Sequence, residues 1–145
     1  MKTVQRVRIK QVRDGRVRFA VEEIKGPNEV YQAVLPYYRS EDREVLSAIY
    51  LDARASPVCF HIVSVGTLNT TRTQPLDVLK PAILSNASAL ILIHNHPSGD
   101  TEPSGEDIAF TRNMHRACEL LGVELHDHLV ISDQGFVSIR SRGLI

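Results

Sequence analysis

At 145 residues the chain suits one domain, long enough to bury a core without disulfide staples. Its hydrophobic share of 43% and charged share of 23% are ordinary for a globular protein, and 17 basic residues balance 17 acidic ones, so bulk charge selects neither an acidic nor a basic partner. The longest apolar run, residues 87–93, is broken by Ser88 and is far too short to cross a bilayer, which argues against a membrane protein.

The N-terminus, MKTVQRVRIK, is charged throughout and lacks the apolar core of a signal peptide, so the expected location is the cytoplasm. Residues 4–24 alternate apolar and polar around Asp14-Gly15, a pair suited to a type I′ turn, which predicts a β-hairpin. Its outward positions are basic: Arg6, Arg8, Lys10, Arg13, Arg16 and Arg18. A solvated face accounts for them; contact with DNA is the alternative, although no interleaved aromatics offer base stacking. Gly26-Pro27-Asn28 then punctuates the chain, so the expected organisation is a basic hairpin extension over 1–26 and the main domain over 27–145.

Residues 29–35 read as a short helix before Pro36, and Ser40 caps a turn leading to Glu44. The apolar run Val45–Leu51 predicts a buried strand, and residues 59–65 the next one, ended by Gly66. The polar stretch TLNTTRTQ is a loop. A helix starts at Pro75, with Asp77 in its first turn and Leu76, Leu79, Ile83 and Leu84 on its apolar face. Residues 89–93 form a strand buried on both faces and run directly into His94.

After a loop, 104–121 is the clearest helix, with Ile108, Thr111, Met114, Cys118 and Leu121 at helical spacing and Gly122 as its natural C′ residue. Residues 129–131 and 136–139 close the chain with a hairpin over Asp133-Gln134-Gly135. Strands interspersed with helices indicate an α/β or α+β sheet domain. Cys59 and Cys118, far apart and outside any CxxC pattern, read as two buried thiols of a reduced protein.

The informative segment is HNHPSGDTEPSGED, residues 94–107. Side chains alternate along a strand, so His94 and His96 leave the same face, about 6.5–7 Å apart along it. Their nitrogens can then converge on one ion at about 2.0–2.1 Å each. Ser104 caps the following helix, and Asp107, in its first turn, can swing back as a third ligand. Two His and one carboxylate leave a coordination position open for water, the pattern of a catalytic zinc site. Zinc lowers that water's pKa from 15.7 to about 7. Glu44 is the candidate general base, and Ser104 the candidate donor to a developing oxyanion. Spacing alone is a weak signal, and Ser104 also fits pure N-capping with Asp107 as its N3 partner.

The same segment resembles the JAMM (MPN+) metalloprotease signature: His-x-His, seven residues, Ser, two residues, Asp. More narrowly it is similar to the RadC family, whose JAB-type domain has Asn between the histidines and continues Pro-Ser-Gly. The resemblance covers residues 40–145, including REVLSAIYLD, the Asn86-Ala87 pair and LLGVELHDHLVI. It implies a mixed sheet flanked by helices, of the cytidine-deaminase-like kind. It also implies a catalytic Zn²⁺ on His94, His96 and Asp107, with an upstream Glu, placed at Glu44, activating water for a peptidase or isopeptidase reaction on a protein or peptide. Glu41 and Asp77 are rivals for that Glu, Asp77 being better suited to packing or capping. Family members carry a helix-hairpin-helix region before the JAB domain; about forty residues precede it here, and none reads as such a region.

His126-Asp127-His128 is a second HxH pattern. Asp127 or His128 can orient a ligand imidazole, but a structural role in starting the next strand is favoured. His61 and His115 read as packing or surface residues, and Arg39, Arg43, Arg112 and Arg116 as surface charge. Base deamination requires H-x-E followed by P-C-x-x-C, and the chain has neither. A non-catalytic scaffold, or a DNA-associated protein recruited through the basic hairpin, remains the competing reading. Neither the oligomeric state nor a specific substrate is written in these residues.

Overall fold

The computed structural model describes residues 1–66 and 73–145. The elements run α1 (Pro27–Tyr38), β1 (Val45–Leu51), β2 (Pro57–Val65), α2 (Pro75–Leu84), β3 (Ala89–Asn95), α3 (Gly105–Leu121), β4 (Glu124–Ser132) and β5 (Gly135–Ser138). The strands form one sheet in the order β2-β1-β3-β4-β5. All pairs are antiparallel except β3 with β4, which are parallel and joined through α3. The mixed sheet flanked by three helices is the architecture expected of a JAB domain.

β1 and β3 lie in the middle and are buried along their whole length, which is why they read as continuous apolar runs rather than alternating ones. One face packs Leu46, Tyr50, Leu90, Leu92 and Leu125 against α2 and α3, through Val78, Phe110 and Met114. The opposite face packs Ile49, Ile91, Ile93, Leu129 and Ile131 against Val30, Tyr31 and Val34 of α1. Alternation along β3 therefore assigns even-numbered residues to the α2/α3 side. His94 leaves the sheet towards α3.

Several expectations need correction. No strand forms in residues 1–19, so the hairpin around Asp14-Gly15 is absent, although Gly15 does adopt a positive φ of 84°. Val4, Val7, Ile9 and Val12 stay exposed; a two-stranded ribbon with no apolar face to cover gains too little to hold itself together. Helix α1 does not stop before Pro36 but runs to Tyr38. Pro36 and Gln32 are both exposed, so the carbonyl that loses its N–H partner faces water. On α2 the buried residues are Val78, Leu79 and Ala82, whereas Leu76, Ile83 and Leu84 face outwards. Only Leu79 of the expected face is correct, because a helix as short as α2 admits more than one apolar stripe. Most of the expected 67–74 loop lies outside the described residues.

The helix ends behave as their chemistry requires. Gly122 has φ 70° and closes α3 with Val123 N–H donating to the Cys118 carbonyl at 3.0 Å. Asn86, at φ 53°, closes α2 in the same way, with Ala87 N–H donating to the Ala82 carbonyl at 2.9 Å. Cys118 is buried and Cys59 only half-buried, and both are free thiols. Burial pushes the Cys118 thiol up to about 11. No helix among the described residues is long and apolar enough to cross a membrane.

Phe110, fully buried between α3 and the sheet, tests this packing. Phe110→Ala should cost about 3–5 kcal/mol in urea unfolding. A loss below about 1 kcal/mol would contradict the assigned core.

Candidate metal centre

Three elements deliver the site. β3 carries His94 to the end of the sheet, and the backbone N–H of His96 still donates to the Ile131 carbonyl at 2.9 Å, tying the chain to β4 as it leaves. Ser104 then caps α3 by accepting from Asp107 N–H at 3.1 Å, while its own N–H donates to Asp107 Oδ2 at 2.7 Å. This reciprocal capping box holds the Asp107 carboxylate at the helix N-terminus, where the helix dipole favours it.

The result is a tight cluster. His94 Nε2 and His96 Nε2 stand 3.0 Å apart; Asp107 Oδ1 lies 3.2 Å from the first and Oδ2 3.3 Å from the second. His94 and Asp107 are buried at 1% and 3% exposure, and His96 is half-buried. Ligands about 2.0–2.1 Å from a tetrahedral ion stand about 3.3 Å from each other, so the spacing matches three corners of such a site. The donor chemistry matches as well. His96 Nδ1 lies 2.7 Å from the Asp100 carbonyl, which can only accept, so that nitrogen carries the proton and Nε2 presents a lone pair. His94 Nδ1 is engaged by His128 Nε2 at 2.8 Å, leaving its Nε2 to face the cluster.

Electrostatics agree with this geometry. Burial alone would raise the Asp107 carboxyl, but the hydrogen bond and charge of His94, with the backbone N–H and hydroxyl of Ser104, hold it well below the usual carboxylate range. His128 is fully buried, and desolvation followed by the nearby charge of His94 pushes it well below the ordinary imidazole value, so it is neutral.

The model of the RadC-like JAB domain matches residues 24–144. The chain belongs to that family. This JAB domain is 37% identical over 123 residues to the UPF0758 protein of Methanococcoides burtonii, covering 85% of the chain and 54% of that protein. It is 39% identical over 122 residues to the UPF0758 protein of Desulforamulus reducens, covering 84% and 54%. With the UPF0758 protein of Aquifex aeolicus it shares 37% identity over 136 residues, covering 94% and 57%. The chain thus spans little more than half the length of the curated relatives it matches.

Of the residues singled out from the JAB sequence, His94, His96 and Asp107 come together, and among the described residues they are the one His/Cys/Asp/Glu group grouped closely enough to hold a metal. Glu44 precedes β1 and is half-buried. The pairing of β1 with β3 ends at Leu46↔His94, two residues short of Glu44, so Glu44 stands at the same end of the sheet as His94. Its backbone is held from both sides. Gly66 N–H donates to its carbonyl at 2.7 Å, and the Asn95 side chain bridges its neighbours, accepting from Val45 N–H at 2.7 Å and donating to the Arg43 carbonyl at 2.9 Å. Asn95, which reads in sequence only as a family marker between His94 and His96, thus holds the backbone on either side of Glu44. Asp77 is occupied in capping α2, accepting from Gln74 N–H at 3.0 Å.

His128 is the residue whose part sequence reasoning undervalued. It reaches the His94 face because β3 and β4 slip register: Leu90 pairs with Leu125, but Ile91 pairs with Asp127. The extra residue, His126, reverses the alternation beyond it, which sequence periodicity cannot show. Arg140 secures the bulge by donating to the Leu125 and His126 carbonyls. Asp127 turns away, accepting from the Ser138 hydroxyl and from Arg140 N–H at 3.1 Å; its role is structural, but it lies inside β4 and does not start a strand. A signal for Thr111 did exist: a polar residue at the centre of an otherwise apolar stripe.

Because the folded Asp107 value is depressed, its ionised form stabilises the metal-free fold above the ordinary carboxylate value of about 3.9, and that contribution is lost as pH falls through the folded value. In urea unfolding of metal-free protein, Asp107→Asn should be clearly less stable than wild type at about pH 7, with the gap narrowing towards about pH 3 and below. A gap independent of pH would contradict the assignment.

Proposed function

We propose that this domain is a zinc-dependent hydrolase of the JAMM type, a peptidase or isopeptidase acting on a protein or peptide through water activated at His94, His96 and Asp107. The observation that carries this reading is the approach of two Nε2 atoms to 3.0 Å beside one carboxylate, each ring's Nδ1 already engaged elsewhere. Such a group is a three-point ligand set, and with no fourth His, Cys, Asp or Glu joining it among the described residues it suits the open site of a catalytic rather than a structural zinc. Bound zinc would supply Lewis acidity, polarising a carbonyl and bringing a water's pKa to about 7.

The chain's own residues divide the remaining work. Glu44, at the end of the sheet where β3 delivers His94, accepts a proton from the attacking water and passes it to the leaving amine. The Ser104 hydroxyl, which accepts from Asp107 N–H, is the donor proposed for an oxyanion. A cavity of about 180 Å³ lined by Tyr38, Gly99 and Gln134 meets the cluster at His96. A reducing compartment, the cytoplasm, suits the two free thiols. A scaffold role is disfavoured, since scaffolding relatives lose ligands and all three stand here.

A peptide-library cleavage assay of the zinc-loaded protein tests the reading. Cleavage should be chelator-sensitive and restored by zinc, and Glu44→Gln should retain zinc while losing about 10²–10⁴-fold in turnover. Full activity in Glu44→Gln would remove Glu44 as the base; turnover unaffected by chelation would end the metallohydrolase reading.

DNA association is a second reading favoured by one observation: Arg6, Arg8, Lys10, Arg13, Arg16 and Arg18 are all exposed on a segment without regular structure. Binding to DNA should then weaken steeply with salt and vanish when Arg6, Arg8, Arg16 and Arg18 are replaced. No binding at low salt would dispose of it.

A further inference from the structure

We infer that Thr111 and His128 form a buried proton-ordering relay that fixes the tautomer of His94 and so sets the metal affinity of the site. The inference rests on the metal-binding part of the proposed function and on no claim about substrate or catalysis. It begins at α3. The Thr111 hydroxyl lies 2.6 Å from the Asp107 carbonyl oxygen, a contact that requires a proton between the two oxygens. The carbonyl has none, so the hydroxyl proton points there.

Thr111 Oγ1 is also 2.6 Å from His128 Nδ1, and with its only proton committed it must accept. His128 therefore carries its proton on Nδ1, and its Nε2 is bare. That nitrogen faces His94 Nδ1 at 2.8 Å, so His94 must be the donor. In the neutral ring that a metal requires, the remaining nitrogen of His94, Nε2, is then left with a lone pair aimed at His96 and Asp107. With neutral rings each step has one solution, and every member is buried: Thr111 and His128 at 0% exposure, His94 at 1%. No water is needed to complete the chain of hydrogen bonds.

The relay closes a loop. It starts on the peptide carbonyl of one ligand, Asp107, and ends on the imidazole of another, His94, passing through β4. Thr111 and His128 are positioning residues: neither touches the metal position, but together they orient the His94 ring, raise the basicity of its Nε2 and tie helix to strand. His96 has a shorter arrangement of the same kind, through the Asp100 carbonyl. Loss of a partner that orients a ligand imidazole typically weakens metal binding by about 10–100-fold.

Zinc affinity of the complete chain, measured by competition with a chromophoric chelator, tests the relay without reference to hydrolysis. Thr111→Val removes the acceptor at nearly constant volume and should weaken zinc binding by about 10–100-fold, whereas Thr111→Ser, which restores the hydroxyl, should stay close to wild type. Imidazole ¹⁵N spectra of the unaltered protein, with and without zinc, provide a readout independent of any variant. His94 and His128 should both carry the proton on Nδ1. A His128 protonated on Nε2, or a folded Thr111→Val protein that binds zinc as tightly as wild type, would overturn the relay. Zinc binding that follows these expectations in a protein that cleaves nothing would leave the relay standing and remove only the hydrolase reading; a wild-type chain that binds no zinc would remove both.

Discussion

Two imidazole nitrogens and a carboxylate held 3.0 to 3.3 Å apart in a nearly dry corner form an arrangement that opposes itself. Lone pairs that close repel, and the carboxylate adds a full negative charge in surroundings where water cannot screen it. The cluster becomes favourable only when positive charge stands among its members. In the metal-free chain the Ser104 N–H and the N-terminus of α3 partly play that role for the Asp107 carboxylate. A divalent cation would fill it more fully. Much of the surrounding structure can be understood as the restraint that keeps these groups together.

That restraint is distributed over separate pieces of chain. The capping box of α3 fixes Asp107, and Ser104 thereby links helix stability to ligand position. The parallel pairing of β3 and β4, joined through α3, brings the sheet end and the helix N-terminus to one place, as in other open sheets where ligands gather beyond the carboxyl ends of strands. The bulge at His126 turns His128 to the correct face, and the C-terminal turn holds the bulge through Arg140. Asn95 adds the first strand of the sheet to the set by gripping β1 on either side of Glu44. Buried polar groups on this scale are tolerable because each is paired; among the described residues no buried side-chain nitrogen or oxygen lacks a partner.

Much of this was legible in the amino-acid order, and the exceptions have physical causes. β1 and β3 were visible because strands buried on both faces must be apolar throughout, and α3 because cap and terminal glycine agree, although Leu121 of its expected stripe is exposed and Phe110 is buried instead. The ligand trio was visible because two strand-end histidines and a first-turn Asp are a local pattern. The N-terminal hairpin failed although its local signal was good: alternation and a turn pair do not suffice when nothing covers the apolar side. His128 and Asn95 were missed in their full roles for a different reason. One depends on a register slip between strands distant in sequence, the other on a side chain reaching a neighbouring strand, and neither leaves a periodic trace.

The central claim, that His94, His96 and Asp107 together hold one ion with a coordination position to spare, is tested most directly by titrating the metal-free chain with cobalt(II) and following its visible absorption. The account predicts saturation at one equivalent with the intense bands of a four-coordinate ion, displacement by zinc, and loss of the signal when His94 is replaced by Ala. Weak bands of a six-coordinate ion, or a signal that survives the loss of His94, would contradict it.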